Sequence, residues 1–254
     1  MRQDALTERF QEYFDVVPVI DDALLRRIFN LRYNVYCREY GYEREEDCPG
    51  RMEQDDYDHH ALHAAVIHRS SQQVAGCVRL ICPDRAGPGS VLPLERFCGH
   101  SLDHADLYPG GFPSHKICET SRLAVSAEFR RRPGEKDNAL GIPGHFDAGN
   151  QDEMRSYPMI SAALFLAAAA LAASSERPHI FAMMEPRLNR LLAHSGLQFT
   201  QVGRVLDYHG TRAAFYIHHQ VAMERMKPAL HGLYCAVLEQ LAGAARSNTP
   251  RLVC

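Results

Sequence analysis

The sequence lacks an excess of basic residues, a closely spaced cysteine pair and an apolar run long enough to cross a bilayer. Lys and Arg number 28 against 31 Asp and Glu, which argues against a nucleic-acid partner. The eight cysteines (37, 48, 77, 82, 98, 118, 235 and 254) form no CxxC motif, so free thiols in a reduced cytoplasm are expected. The longest apolar stretch runs from Met159 to Ala173, and its length predicts a buried helix and no transmembrane segment.

Several well-known functional motifs are also missing. There is no G-x-S-x-G elbow, Walker loop or Rossmann fingerprint. His59, His60 and His63 do not have the spacing of a zinc site, so no metal is expected. Charged residues near the N-terminus leave no room for the apolar part of a signal peptide. What remains is the composition of an ordinary globular protein, with 46% hydrophobic and 23% charged residues.

The hydrophobic pattern predicts a single α+β domain, a mixed α/β sandwich, over residues 1–254. Period-2 and period-3.6 segments alternate in the order β, α, β, β, a long irregular segment, β, α, β, α, β, β, α. We predict strands at 14–20, 60–68, 74–82, 116–125, 179–184, 198–207 and 212–218. We predict helices at 5–14, 22–40, 156–174, 186–195 and 228–244, with a short element at 92–97. This order favours a mostly antiparallel sheet with helices packed against it.

An acidic loop and one strand arginine are the first candidates for a functional site. Nine acidic residues and only two arginines lie between Glu39 and Asp58. Asp55 and Asp58 either belong to a solvated loop or hold a cationic ammonium or a partner arginine. Arg79 lies on a strand face that is otherwise apolar, so it needs a carboxylate partner, because an unpaired buried charge is costly. That partner makes either a structural ion pair or part of a site.

Two further clusters carry charge. In a regular strand Glu119 and Arg122 point to opposite faces, so they share one site only if a β-bulge near Thr120 or Ser121 turns the chain. The basic residues Arg130, Arg131, Arg132 and Lys136 form either a solvated face or a surface that receives an acidic protein or a phosphate.

Taken in order, these motifs resemble the acyl-homoserine-lactone (autoinducer) synthases and the wider N-acyl amino acid synthases on the GNAT acyltransferase fold. The resemblance covers roughly residues 14–218, with a C-terminal helical extension over 219–254. The 92–97 element, the 133–153 segment and the chain beyond His218 are most similar to the PEP-CTERM/exosortase system-associated acyltransferases. The motifs are Leu31-Arg32-Tyr33-Asn34-Val35-Tyr36, Met52 to Asp58, Val78-Arg79-Leu80, Glu119-Thr120-Ser121-Arg122 and Ser156-Tyr157-Pro158.

The resemblance implies a GNAT-like fold with a splayed central sheet, and an acyl transfer from an acyl carrier protein thioester to a primary amine. Glu119 would act as the base, with Arg122 beside it as the second catalytic residue. Tyr42 stands where the autoinducer synthases carry a tryptophan. The residues implied in the amine site are Arg32, Tyr36, Tyr42, Asp55, Asp58 and Arg79.

The donor implied by the resemblance is the acyl-phosphopantetheine of acyl carrier protein, with no permanently bound cofactor. Its docking surface would be Arg130, Arg131, Arg132 and Lys136. Two alternatives remain at this point: an N-acetyltransferase that uses a CoA thioester, or an inactive GNAT fold that senses a ligand. Arg131 to Lys136 supplies the Arg and one Gly of the CoA-binding loop but lacks its last small residue, which favours the carrier protein.

Overall fold

The computed structural model describes residues 2–130 and 153–247, which are built around an eight-stranded sheet. Its strands are β1 (Phe14–Pro18), β2 (Leu62–His68), β3 (Val74–Ile81), β4 (Ile117–Val125), β5 (His179–Met184), β6 (Thr200–Gln201), β7 (Leu206–Asp207) and β8 (Thr211–His218). They lie in the order β1-β2-β3-β4-β5-β8-β6, and β7 also pairs with β8. Only β4 and β5 run parallel, since every other pair is antiparallel.

Helices cover both faces of this sheet. They are α1 (Arg2–Tyr13), α2 (Asp22–Arg32), α3 (Pro93–Cys98), α4 (Glu153–Ser174), α5 (Pro186–Ala193), α6 (His219–Arg225) and α7 (Pro228–Ser247). Helices α1, α4 and α7 pack together over β1 to β4, while α2 packs on the opposite face against β3 and β4. The Asp21 side chain caps α2 by accepting a hydrogen bond from the Leu24 amide at 2.8 Å. Beyond Arg32 the chain continues as a π-helical segment, Tyr33–Glu39.

The alternation of side chains between the two faces of β3 explains where Arg79 lies. Val78 and Leu80 face the core under α4, whereas Cys77 and Ile81 face the other way, into two separate apolar clusters. The cluster at Cys77 is covered by α2, and that at Ile81 by the irregular segment 82–116. Arg79 lies between the two clusters on this face. The gap between the two coverings therefore leaves room for polar groups at the centre of the sheet.

The sheet splays open between β4 and β5. Their parallel pairing joins Ile117–Thr120 to His179–Ala182 and stops there, although both strands continue. At the same level β4 is bulged, because Cys77 pairs with Ala124 and Arg79 with Ser121, so Arg122 and Leu123 together oppose Val78. Arg122 has a φ of +48°, in the left-handed region. The splay and the bulge place the chain from Thr120 to Leu123 at an opening.

The fold class predicted from the sequence is confirmed: the sheet is mostly antiparallel, splayed and flanked by helices. The predicted strand 198–207 is wrong as one continuous element, since it is divided into β6 and β7. Gly203 forms a bridge with Leu102 at the break, and a Cβ on it would lie 3.1 Å from the Ser101 carbonyl oxygen. Helix α6 was not predicted. None of the helices in the described ranges has the length and hydropathy of a membrane span.

Candidate active site

A cavity of about 150 Å³ lies at the splay. Its walls come from the bulged part of β4, the end of β5, the acidic loop, α3 and the hairpin of β7 and β8. The structure therefore brings together six of the predicted site residues around one opening. They are Tyr36, Tyr42, Asp55, Arg79, Glu119 and Arg122. Two others, Arg32 and Asp58, lie behind this wall.

Glu119 is the most strongly perturbed carboxyl group of the cavity. Its side chain is 3% exposed, and its Oε2 accepts a hydrogen bond from the Leu94 amide at 2.9 Å. Burial raises the pKa of Glu119 to about 8, against the opposing effects of the Leu94 amide, Arg79 and Arg122. A carboxyl group with this pKa exchanges its proton near neutral pH, which suits a general base.

Arg79 satisfies the sequence expectation of a carboxylate partner, and it has two. It is 2% exposed, and it holds Asp55 through two parallel hydrogen bonds, Nη1–Oδ1 at 2.6 Å and Nη2–Oδ2 at 3.0 Å. Nη1 also lies 2.9 Å from Asp58 Oδ1. Nε donates to Ser121 Oγ at 3.0 Å, which ties the guanidinium to the bulged strand.

Arg32 reaches one of these carboxylates, Asp58, from α2. It is 1% exposed and donates to Asp58 at 2.7 and 3.0 Å and to Glu53 Oε2 at 2.5 Å. Burial alone would raise the pKa of Asp58, but Arg32 and Arg79 outweigh it and hold that pKa well below its usual range. His63 lies 3.7 Å from Asp58 Oδ1, yet burial lowers the pKa of its imidazole to about 4, so it stays neutral.

Arg122 closes this set of contacts into a ring. Its Nε donates to Glu53 Oε1 at 3.0 Å, and its Nη2 lies 3.4 Å from Asp55 Oδ2. Each of the three guanidiniums therefore lies between two carboxylates, and each carboxylate between two guanidiniums. We call this set the ion-pair ring; in order it is Arg32, Glu53, Arg122, Asp55, Arg79 and Asp58. Glu43 adds a further contact to Arg122 Nη2 at 3.0 Å.

A stack of tyrosines borders the ring. The rings of Tyr36 and Tyr42 lie 6.3 Å apart, and those of Tyr40 and Tyr42 lie 5.4 Å apart. The Tyr36 hydroxyl donates to the Leu123 carbonyl at 2.8 Å, so the stack is fixed to the bulge. Arg122 lies over Tyr36, with its guanidinium carbon 5.7 Å from the ring centroid.

The sequence did not indicate Glu53, Glu43 or the Leu94 amide as parts of the site. Glu53 belongs to the ion-pair ring, Glu43 contacts Arg122, and the Leu94 amide binds Glu119. Glu53 lies within the motif Met52 to Asp58, so an acidic residue two positions before Asp55 was an available signal. Glu43 had no comparable signal in an acidic loop. The Leu94 amide was not predictable, because its partner Glu119 lies on a strand 25 residues away.

Comparison with known proteins relates the sequence and the fold of this chain to acyltransferases. Residues 31–136 match the family model of the acetyltransferase (GNAT) domain. The fold is that of the GNAT acyltransferases. The family match identifies the chain as an acyltransferase. No curated protein matches the sequence.

Among solved structures, the acyl-homoserine-lactone synthase LasI is 16% identical, with a TM-score of 0.58 over 86% of this chain and 94% of its own. The CoA-dependent acyl-homoserine lactone synthase BjaI is 17% identical, with a TM-score of 0.58 over 88% and 89%. FeeM, an N-acyl amino acid synthase from uncultured soil microbes, is 14% identical, with a TM-score of 0.50 over 85% and 96%. These similarities show a shared fold.

A second, apolar pocket of about 40 Å³ lies next to the cavity, on the side of the sheet that α4 covers. Thr120, Phe165 and Ala182 line both spaces. Ala168 and Ala169 of α4 also line the apolar pocket. The alanine-rich sequence of α4 therefore serves close packing on the sheet over most of its length and leaves a small apolar space here.

The structure does not place Arg130 on a docking surface. Its side chain is 3% exposed and is paired with Glu39, and its Nε donates to the Val125 carbonyl at 2.8 Å. The prediction that Arg130 belongs to an exposed docking surface is therefore wrong. A run of like charges suggested a solvated face, but the Arg130 side chain is buried against the carboxylate of Glu39. Arg131, Arg132 and Lys136 lie outside the described residues.

Proposed function

We propose that the protein is an N-acyltransferase that moves a fatty acyl group from an acyl carrier protein thioester to a primary amine, such as that of an amino acid. The observation that carries this proposal is the position of Glu119. This buried carboxyl group, with a pKa of about 8, lines the charged cavity next to Thr120, which lines both the cavity and the apolar pocket. An amine and an acyl chain would meet at the boundary between these two spaces.

The reaction needs a base, because an ammonium group is not a nucleophile. The ammonium gives one proton to Glu119 through a water molecule, and the free amine attacks the thioester carbonyl carbon. A backbone N–H of the splayed part of β4 stabilises the oxyanion that develops. The C–S bond then breaks as the amide forms, and the second proton of the amine neutralises the leaving thiolate.

The ion-pair ring gives the amine site its shape. Asp55, Arg79 and Arg122 line the cavity, and Arg32, Glu53 and Asp58 hold them from behind. Since each charged group is paired with fixed geometry, the wall resists collapse when the cavity is empty. Arg122 also lines the cavity close to Glu119 and helps to keep the pKa of that carboxyl group from rising further.

The apolar pocket against α4 would receive the acyl chain. Ala169→Leu adds three carbons to this space, so the preferred acyl chain should shorten by about three methylene groups, each worth roughly 0.8 kcal/mol of burial. Turnover rates with acyl thioesters of increasing length check this. Ala173→Leu, on the same helix but outside the pocket, is the control. An unchanged length preference in Ala169→Leu would place the chain elsewhere.

The donor would dock through Arg131, Arg132 and Lys136. Acyl carrier proteins are strongly acidic, and exposed charges are screened over about 8 Å at physiological salt. Reversing Arg131 and Arg132 to Glu should raise the KM for acyl carrier protein several-fold, with a strong dependence on salt. The KM for a small acyl-pantetheine thioester should stay nearly unchanged, because that substrate carries no acidic helix.

The control for this experiment reverses two exposed arginines that lie away from the cavity, Arg26 and Arg225, and so changes the net charge equally. If both donors lose affinity in the Arg131 and Arg132 variant, these arginines belong to the fold or the active site. If neither donor does, the carrier protein docks on another surface.

Two assays test the proposed function as a whole. Thiol release from acyl-carrier-protein, acyl-CoA and acyl-pantetheine thioesters, with and without amines, separates the carrier-dependent enzyme from a CoA-dependent one and from an inactive sensor. Mass spectrometry of lipid extracts from overproducing cells, against a Glu119→Gln control, identifies the product. We further propose the narrower relationship to the PEP-CTERM/exosortase system-associated acyltransferases, and the use of a carrier protein implies a cytoplasmic enzyme.

A further inference from the structure

Three arginines line the cavity at the splay, and two of them are fully engaged by the protein itself. Arg79 is held by Asp55, Asp58 and Ser121. Arg122 is held by Glu53, Glu43 and Asp55. Carboxylates already contact Nη1 and Nη2 of Arg79, and Nε and Nη2 of Arg122. The third, Arg212, has different surroundings.

Arg212 lies on β8, just after the turn at His209 and Gly210. Its Nε donates to the His209 carbonyl at 3.3 Å, and its guanidinium carbon lies 5.6 Å from the centroid of the Tyr42 ring. Among the side chains of residues 6–130 and 159–244, no carboxylate lies within 4.0 Å of it. The side chain is half-buried, so its charge is partly removed from water without an anionic partner.

The stack of tyrosines fixes the orientation of this guanidinium. Tyr42 lies between Tyr40 and the imidazole of His209, whose centroid is 5.9 Å away. A guanidinium that lies over such a ring keeps its plane, and its two terminal nitrogens remain available on one edge. That edge matches two oxygens of a carboxylate in a paired hydrogen bond.

We propose that Arg212 binds the carboxylate of an amino acid acceptor whose amino group faces Glu119. This inference rests on the proposed function and names its acceptor class. One cavity then holds both ends of the substrate: a cation for the carboxylate and a base for the ammonium. An amine without a carboxylate leaves Arg212 unpaired and lacks the contact that sets its orientation. Arg212 is thus a specificity-determining residue.

The test compares amino acids with the amines made by removing their carboxylates. The pairs are tyrosine and tyramine, phenylalanine and phenethylamine, and leucine and 3-methylbutylamine. The donor is decanoyl-N-acetylcysteamine, which has no phosphate, so that Arg212 cannot act by binding a phosphate of the donor. The variants are Arg212→Gln and Arg212→Lys, and the control is Arg187→Gln, an exposed arginine on α5.

Wild-type protein should favour the amino acid of the best pair by at least about tenfold in kcat/KM, as expected for a paired, charge-assisted hydrogen bond. Arg212→Gln should lower kcat/KM for that amino acid roughly tenfold to a hundredfold, mainly through KM, and leave the decarboxylated amine within about twofold. Arg212→Lys keeps the positive charge but loses the paired donors. Its kcat/KM for the amino acid should therefore lie between those of the wild type and Arg212→Gln.

Equal losses for the amino acid and its amine in Arg212→Gln would overturn the inference, as would a wild type that does not distinguish the pair. Calorimetric binding of the common amino acids without a donor separates this result from failure of the proposed function. If acyl transfer fails but binding depends on Arg212, the carboxylate site stands and the reaction does not. If no amino acid binds and none is acylated, the site is excluded.

Discussion

Glu119→Gln is expected to lower kcat by roughly 10²- to 10⁴-fold, the range typical for removal of a general base. Glutamine keeps the shape of the side chain and can still accept the hydrogen bond from the Leu94 amide. No loss of thermal stability is therefore expected near neutral pH, where the glutamine also avoids the cost of a buried charge. Steady-state thiol release and a thermal melt of the same preparation check both expectations. Glu128→Gln, at an exposed position outside the cavity, is the control.

The pH profile separates a base from a merely structural carboxyl group. Because the pKa of Glu119 is raised to about 8, kcat/KM of the wild type should increase with pH up to that value and then level off. Glu119→Gln should lose this increase. Unchanged turnover in Glu119→Gln, or the same pH profile in both proteins, would remove Glu119 from the role of base.

The raised pKa also has a consequence for stability with a definite sign. The folded protein binds the Glu119 proton more tightly than the unfolded chain, in which glutamate titrates near pH 4.3. This contribution to the free energy of unfolding is fully present below that pH and is lost as the pH rises through about 8. Glu119→Gln should therefore become more stable relative to the wild type between pH 5 and pH 9.

Asp58→Ala is expected to lower the free energy of unfolding by roughly 3–5 kcal/mol, because it leaves two buried guanidiniums short of a partner. Asp58 contacts Arg32 and Arg79, and each of these arginines is at most 2% exposed. Turnover should fall as well, since Arg79 lines the cavity. Urea unfolding of Asp58→Ala and of Asp56→Ala, an exposed neighbour, measures the difference.

The pH dependence of this effect runs opposite to that of Glu119. The pKa of Asp58 is lowered in the folded protein, so its contribution is present above the unfolded value near 3.9 and declines as the pH falls below it. Arg79→Ala should be similarly destabilising, because it leaves Asp58 and Asp55 with one guanidinium fewer. A loss below about 1 kcal/mol in Asp58→Ala, or equal losses at positions 58 and 56, would contradict the role of the buried ring.

The sequence predicted the order of the elements well because hydrophobic periodicity is a local property. It predicted that Glu119 and Arg122 could share a site only through a bulge, and the structure has that bulge. The expected position was Thr120 or Ser121, whereas the extra residue falls at Arg122 and Leu123. The position of the bulge depends on the register between β3 and β4. The sequence of β4 alone does not determine that register.

The remaining differences also come from contacts between distant parts of the chain. Arg130 is buried because it pairs with Glu39, which lies 91 residues earlier in the chain. A pattern of charges among neighbouring residues does not show such a contact. Glu119 accepts its hydrogen bond from the amide of Leu94 in α3, which lies 25 residues earlier in the chain. By contrast, Arg79 was expected to have a carboxylate partner from its position on an apolar strand face alone, since the cost of an unpaired buried charge is general.

The closed form of the ion-pair ring has a consequence for how this protein can change during evolution. In an open chain of charges, a terminal member can be lost with one contact, but every member of a ring has two neighbours. A substitution at any position therefore leaves two groups of the same sign, at least one of them buried, short of a partner. Drift at these positions should proceed by coupled replacement of adjacent partners, with few viable single-step intermediates. Homologues should then keep the ring whole or lose acid and base together.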